Sequence, residues 1–89
     1  MTAVKRLVLD VLKPHVPDSL ESGRRLAAQA DRRVRVTVVE MDEKTETLEV
    51  VIECEDLDFA RFQAAIAELG ASLHSIDEVE VVGGPAPAE

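Results

Sequence analysis

The run Lys5-Arg6-Leu7-Val8-Leu9-Asp10-Val11-Leu12-Lys13, closed by Pro14-His15, limits what this chain can become more than any other stretch. Branched apolar side chains fall on both of its parities, so a strand formed here has two faces to cover. A strand of that kind belongs inside a sheet, with a neighbour on each side. The remaining segments are read for what they can place around it.

Pro14 and Pro17 punctuate the loop that follows, and Pro17 suits the first turn of a helix. Asp18 and Glu21 put negative charge at that helix's positive end. Leu20, Gly23, Leu26, Ala27 and Ala30 recur at helical spacing, which predicts a helix ending near Ala30, before Asp31-Arg32-Arg33. Gly23 costs ~1 kcal/mol relative to Ala in a helix, a cost that close approach to the sheet offsets.

Val34 to Met41 is a second strand, with Val34, Val36 and Val38 on one face and Arg35, Thr37 and Val39 on the other. Asp42-Glu43-Lys44-Thr45 is a polar turn leading to a third strand, Glu46 to Glu55. There Leu48, Val50, Ile52 and Cys54 oppose Thr47, Glu49, Val51, Glu53 and Glu55, so the pair reads as an antiparallel hairpin. Asp56-Leu57-Asp58 opens a second helix with the stripe Phe59, Phe62, Ile66 and Leu69, and Gly70 ends it. Ala71 to Val82 is the last strand. Ser72, His74 and Ile76 share a parity that Val79 and Val81 reverse, so a bulge is expected near Asp77-Glu78.

The order β-α-β-β-α-β defines an α+β, ferredoxin-like sandwich: a four-stranded antiparallel sheet with two helices on one face. Right-handed crossovers put the first and third strands in the middle and the other two at the edges. Residues 1–82 are expected to form this single domain, and 83–89 a flexible tail. The uncovered face would carry Arg6, Val8, Asp10 and Leu12, then Arg35, Thr37 and Val39, then Glu49, Val51 and Glu53. It is half apolar and flanked by two Val-rich edges, which a second copy of the chain can cover. A chain of 89 residues buries roughly 60–65% of its unfolded surface, and association is a common remedy at that size. A homo-oligomer is therefore expected, a ring being one form.

Eighteen acidic against ten basic residues give a net charge of −8. That surface repels phosphate backbones and anionic membranes, so neither nucleic acid nor membrane is an expected partner. An acidic, Lys-poor surface also suits a salt-rich cytoplasm, and a halophilic source is consistent with it. The one cysteine, Cys54, excludes an internal disulfide and paired-thiol metal sites, and its strand parity marks it as a buried, inert thiol. No signal-peptide core opens the chain and no apolar run approaches the ~18 residues of a membrane span, so a soluble, cytoplasmic protein is expected.

Motifs that carry chemistry are sparse. The first and third strands lack the aromatic residues on which an RNA-recognition sheet stacks bases. No glycine-rich phosphate loop follows a strand, and neither His15 nor His74 sits in a nucleophile–base arrangement. Carboxylates near strand ends remain: Glu40 and Asp42 around Met41, and Asp77-Glu78 after His74-Ser75-Ile76. Ca²⁺ or Mg²⁺ takes several oxygen ligands, which two acidic pairs from different strands can offer. Turn-forming and solvated roles account for Glu40, Asp42 and Glu43 as simply. The expectation is a non-catalytic interaction or scaffold domain. The alternative is a regulatory module holding a divalent cation or small ligand through Glu40, Asp42, Asp77 and Glu78.

Four runs carry a resemblance: Leu9-Asp10-Val11-Leu12-Lys13-Pro14-His15, Thr37-Val38-Val39-Glu40-Met41-Asp42, Leu57-Asp58-Phe59 and His74-Ser75-Ile76-Asp77-Glu78-Val79. With these motifs in this order from Lys5 to Val82, the chain resembles the archaeal family called domain of unknown function 211. The resemblance implies a ferredoxin-like fold and multimeric assembly, and it supplies no activity. The chain departs from the family pattern in the first helix, at Ser22-Gly23-Arg24-Arg25. The matched runs contain Asp10, His15, Glu40, Asp42, His74, Asp77 and Glu78, some of which are expected to meet near one end of the sheet.

Overall fold

The computed structural model describes residues 1–30 and 33–84. Its elements are β1 (Thr2–Pro14), α1 (Ser19–Ala30), β2 (Arg33–Met41), β3 (Thr45–Glu53), α2 (Phe59–Glu68) and β4 (Ser72–Gly83). The strands form one antiparallel sheet in the order β2-β3-β1-β4. β1 is thus interior, as its two apolar faces require, and the domain is a ferredoxin-like α+β fold.

The core lies between the sheet and the two helices. Leu7, Leu9 and Val11 of β1 and Leu48, Val50 and Ile52 of β3 meet Leu26 and Ala30 of α1 and Phe62, Ile66 and Leu69 of α2. In register, Leu7 faces Ile52, Leu9 faces Val50 and Val11 faces Leu48. Two alternating series therefore interlock on one side of the sheet.

Asp58 caps α2 by accepting the Arg61 N–H, and Gly70 follows its last turn at φ +73. A Cβ at Gly70 would sit 3.7 Å from Pro14 Cγ, an ordinary contact, so only the left-handed backbone resists a side chain there. Gly70→Ala is expected to cost about 1 kcal/mol in urea unfolding.

Three expectations are corrected. Pro17 precedes the first turn of α1, and Asp18 caps the helix: its carboxylate accepts the Glu21 N–H at 2.8 Å and its carbonyl the Ser22 N–H at 2.9 Å. Leu20 is not part of the core face but 64% exposed, and the buried positions of α1 are Ser22, Leu26 and Ala30. The helix is rotated so that small residues meet the sheet, with Gly23 against Val36, and the Ser22 hydroxyl is turned toward the Pro17 carbonyl. Finally, Gly83 belongs to β4 and the Gly84 N–H donates to the Met1 carbonyl at 2.7 Å, so the ladder runs further than Val82. The rest of the expected tail, 85–89, and Asp31 with Arg32 lie outside the described residues.

The face without helices is more closed than its composition implied. Val8 and Val51 stand opposite each other and are already buried in the single chain. Beside them Arg6 bridges two strands, with Nη1 2.7 Å from Glu53 and Nε 2.8 Å from Glu78. Leu12 of β1 is exposed on this face, and the sheet's other exposed apolar side chains lie on its edges: Val38, Val39 and Met41 on β2, and Ile76, Val79, Val81 and Val82 on β4.

Candidate functional site

Lys13 and Glu46 are register partners at one end of the β1–β3 ladder, and both point to the helix side. Lys13 continues the inward series Leu7, Leu9, Val11, and Glu46 the inward series Leu48, Val50, Ile52. Their side chains are 0% and 7% exposed, and Lys13 Nζ lies 3.3 Å from Glu46 Oε1. The ammonium also donates to the Pro14 carbonyl at 2.6 Å. His15, just past β1, completes the group: Nδ1 is 3.0 Å from Glu46 Oε2, and Nε2 is 2.9 Å from the Asp42 carbonyl and 3.2 Å from that of Glu43. Among the described residues, every buried side-chain nitrogen or oxygen has a partner.

One carboxylate thus sits between two basic groups. The His15 hydrogen bond, followed by that of Lys13, holds the Glu46 pKa below its ordinary value against the opposing effect of burial. In return Glu46, helped by the Asp42 and Glu43 carbonyls, raises the His15 pKa. Asp42 Oδ1 accepts the backbone N–H groups of Thr45 and Lys44 and the Thr45 hydroxyl, which lowers its pKa. Asp42 is therefore occupied in shaping the turn, as one of the two sequence readings held.

A second group lies on the open face. The β1–β4 register shifts three times: one shift leaves Lys5 as an extra residue in β1, and two fall in β4, leaving Asp77 between Glu78 and Ile76, and His74 between Ser75 and Leu73. The phase change in the sequence located the bulge at Asp77. His74 Nδ1 reaches Asp10 Oδ2 at 3.1 Å, and the Ser75 hydroxyl donates to Asp77 Oδ1 at 2.7 Å. Asp10, Glu49 and Asp77 border a shallow depression of about 360 Å³ together with Thr47 and Val39.

The four proposed metal ligands do not converge. Glu40 lies on the β2 edge with Asp42 in the turn just past it, and Asp77 and Glu78 lie on the β4 edge, with β3 and β1 between β2 and β4. Neighbouring strands are roughly 4.8 Å apart, so the two pairs are separated by about 14 Å of sheet, too far for one ion. Glu78 is moreover paired with Arg6, whose guanidinium is held still more firmly protonated by it. Among the described residues, no three His, Cys, Asp or Glu side chains are grouped as metal ligands. Of the family-typical residues, the fold unites Asp10 with His74, and His15 with the Asp42 carbonyl. Lys13 and Glu46 were missed as a pair, although extending the two inward series by one step finds both.

The geometry defines a small ferredoxin-like domain with a buried charge cluster at one sheet end and two partly apolar edges. The model of the family described as uncharacterized ArCR, domain of unknown function 211, matches residues 5–85, and the chain belongs to that family. An uncharacterized protein of Methanocaldococcus jannaschii is 42% identical over 80 residues, which is 89% of this chain and 82% of that one. Among the described residues, no helix is long and apolar enough to cross a membrane.

Proposed function

We propose that the domain is a non-catalytic interaction module that assembles with copies of itself through the edges of its sheet. The observation that carries this reading is β4. Ile76, Val79, Val81 and Val82 are each between 46% and 55% exposed on a strand with no neighbour on its outer side. Branched side chains on an unpaired edge are costly to leave in water, and a partner strand or a partner's apolar edge removes that cost. The β2 edge offers such a surface in Val38, Val39 and Met41.

Light scattering on purified protein tests the reading. The expected result is a mass several times that of one chain, falling to the monomer in a Val79→Asp, Val81→Asp double variant that keeps its circular dichroism. A wild-type protein that stays monomeric at millimolar concentration overturns it.

The placement of Glu40 and Asp77 on opposite edges favours one second reading. Copies joined β2 edge to β4 edge in a register that sets Glu40 of one chain opposite Asp77 of the next would give an inter-chain seat for Ca²⁺ or Mg²⁺. Titration calorimetry with each ion decides: heat together with a change in assembly supports it, and no heat removes it.

A further inference from the structure

Both ring nitrogens of His15 face atoms that can only accept. Nδ1 meets the Glu46 carboxylate at 3.0 Å, and Nε2 meets the main-chain carbonyls of Asp42 and Glu43 at 2.9 Å and 3.2 Å. A neutral imidazole has one N–H and one lone pair, so it would always set a lone pair against an oxygen. Moving the proton to Glu46 is opposed by Lys13 Nζ, 3.3 Å from the other oxygen of that carboxylate. Only the imidazolium satisfies the whole arrangement.

We propose that His15 is a proton-operated clasp. As the imidazolium it ties the segment after β1 to the β2–β3 turn, and loss of its proton releases that turn. The charged groups around it come from three elements. Lys13 belongs to β1, Glu46 to β3, and Asp42 and Glu43 to the turn. Lys13 still faces Glu46 when His15 is neutral, so the release is confined to the turn side. Nothing in the oligomer reading is needed for it, and it holds for a single chain.

The sign of the pH dependence follows from the two shifts. His15 is raised above its ordinary 6.5, so its contribution is fully present below 6.5 and is lost as pH rises through the folded value. Glu46 is lowered from 4.5, so its contribution is present above 4.5 and is lost as pH falls through its folded value. The clasp is closed between those limits and opens on the alkaline side.

An NMR titration of the full chain tests this on the wild-type protein. The His15 ring is expected to titrate with a midpoint above 6.5. The amides of Lys44 and Thr45 should lose exchange protection, corrected for intrinsic rates, across the same midpoint. In His15→Gln the step should vanish while the β1–β3 amides stay protected. A His15 midpoint at or below the ordinary value, or turn protection that ignores the midpoint, overturns the proposal.

Discussion

Replacing Glu46 by Ala is expected to cost about 3 kcal/mol of stability, the low end of the range for removing one partner of a buried ion pair. The reason is Lys13. Its ammonium is fully covered and has Glu46 and the Pro14 carbonyl as its contacts. Without the carboxylate a buried charge keeps one neutral acceptor, and the imidazolium of His15 loses its strongest partner as well. The low end applies because His15 is about a third exposed, so water can approach this end of the sheet. A second substitution separates the pair's own worth from the penalty of orphaning Lys13. Glu46→Leu with Lys13→Met removes both charges at similar volume and should recover most of the loss, since apolar replacement of buried pairs is often neutral or stabilising. Urea unfolding of the wild type, Glu46→Leu, Lys13→Met and the double variant at one protomer concentration supplies the double-mutant cycle, concentration being fixed because assembly would shift every midpoint. A single variant within 0.5 kcal/mol (roughly the scatter for surface substitutions) would mean that the charges are solvated after all.

The parts of the fold that were legible from the sequence are those where one physical pattern acts alone. The stripe Phe59, Phe62, Ile66 and Leu69 has only one way to face a sheet, and the inward series of β3 has only one register that keeps it covered. Gly70 and the phase change at Asp77 announced themselves as breaks in such patterns. Where two demands competed, the stronger was not visible in the residue types. Leu20 is more apolar than Ser22, yet close packing of α1 on Val36 selects small side chains and leaves Leu20 outside. Lys13 and Glu46 look like solvated strand ends because charge outweighs parity in a residue-by-residue reading. In the register each is the partner that makes the other's burial possible. The separation of the two acidic pairs within one chain was hidden for a different reason: residue types say nothing about which edge of a sheet a strand occupies, and β2 and β4 are the two opposite edges.

Phe62→Ala is the other change with a large expected effect. Phe62 is fully buried and is one of only two aromatic residues in the chain, so the aliphatic side chains around it have no equally large neighbour with which to refill the space. Truncations of this kind cost about 3–5 kcal/mol, the lost transfer free energy plus the cavity left behind. A domain of this length has a total stability of roughly 4–13 kcal/mol, so the loss is a large share of it and both the thermal and the urea midpoint should fall well below those of the wild type. Phe59 provides the internal comparison. It sits on the same stripe three residues earlier but is only partly buried, packed against the core from its margin. Phe59→Ala should therefore lose less than half as much, because the side chain gives up less contact and the gap opens to water. Thermal and urea unfolding of both variants, read by circular dichroism, give the ordering. Equal losses at the two positions would show that the core is not centred on Phe62, and with it would go the packing of α2 against β1 and β3 on which the whole sandwich depends.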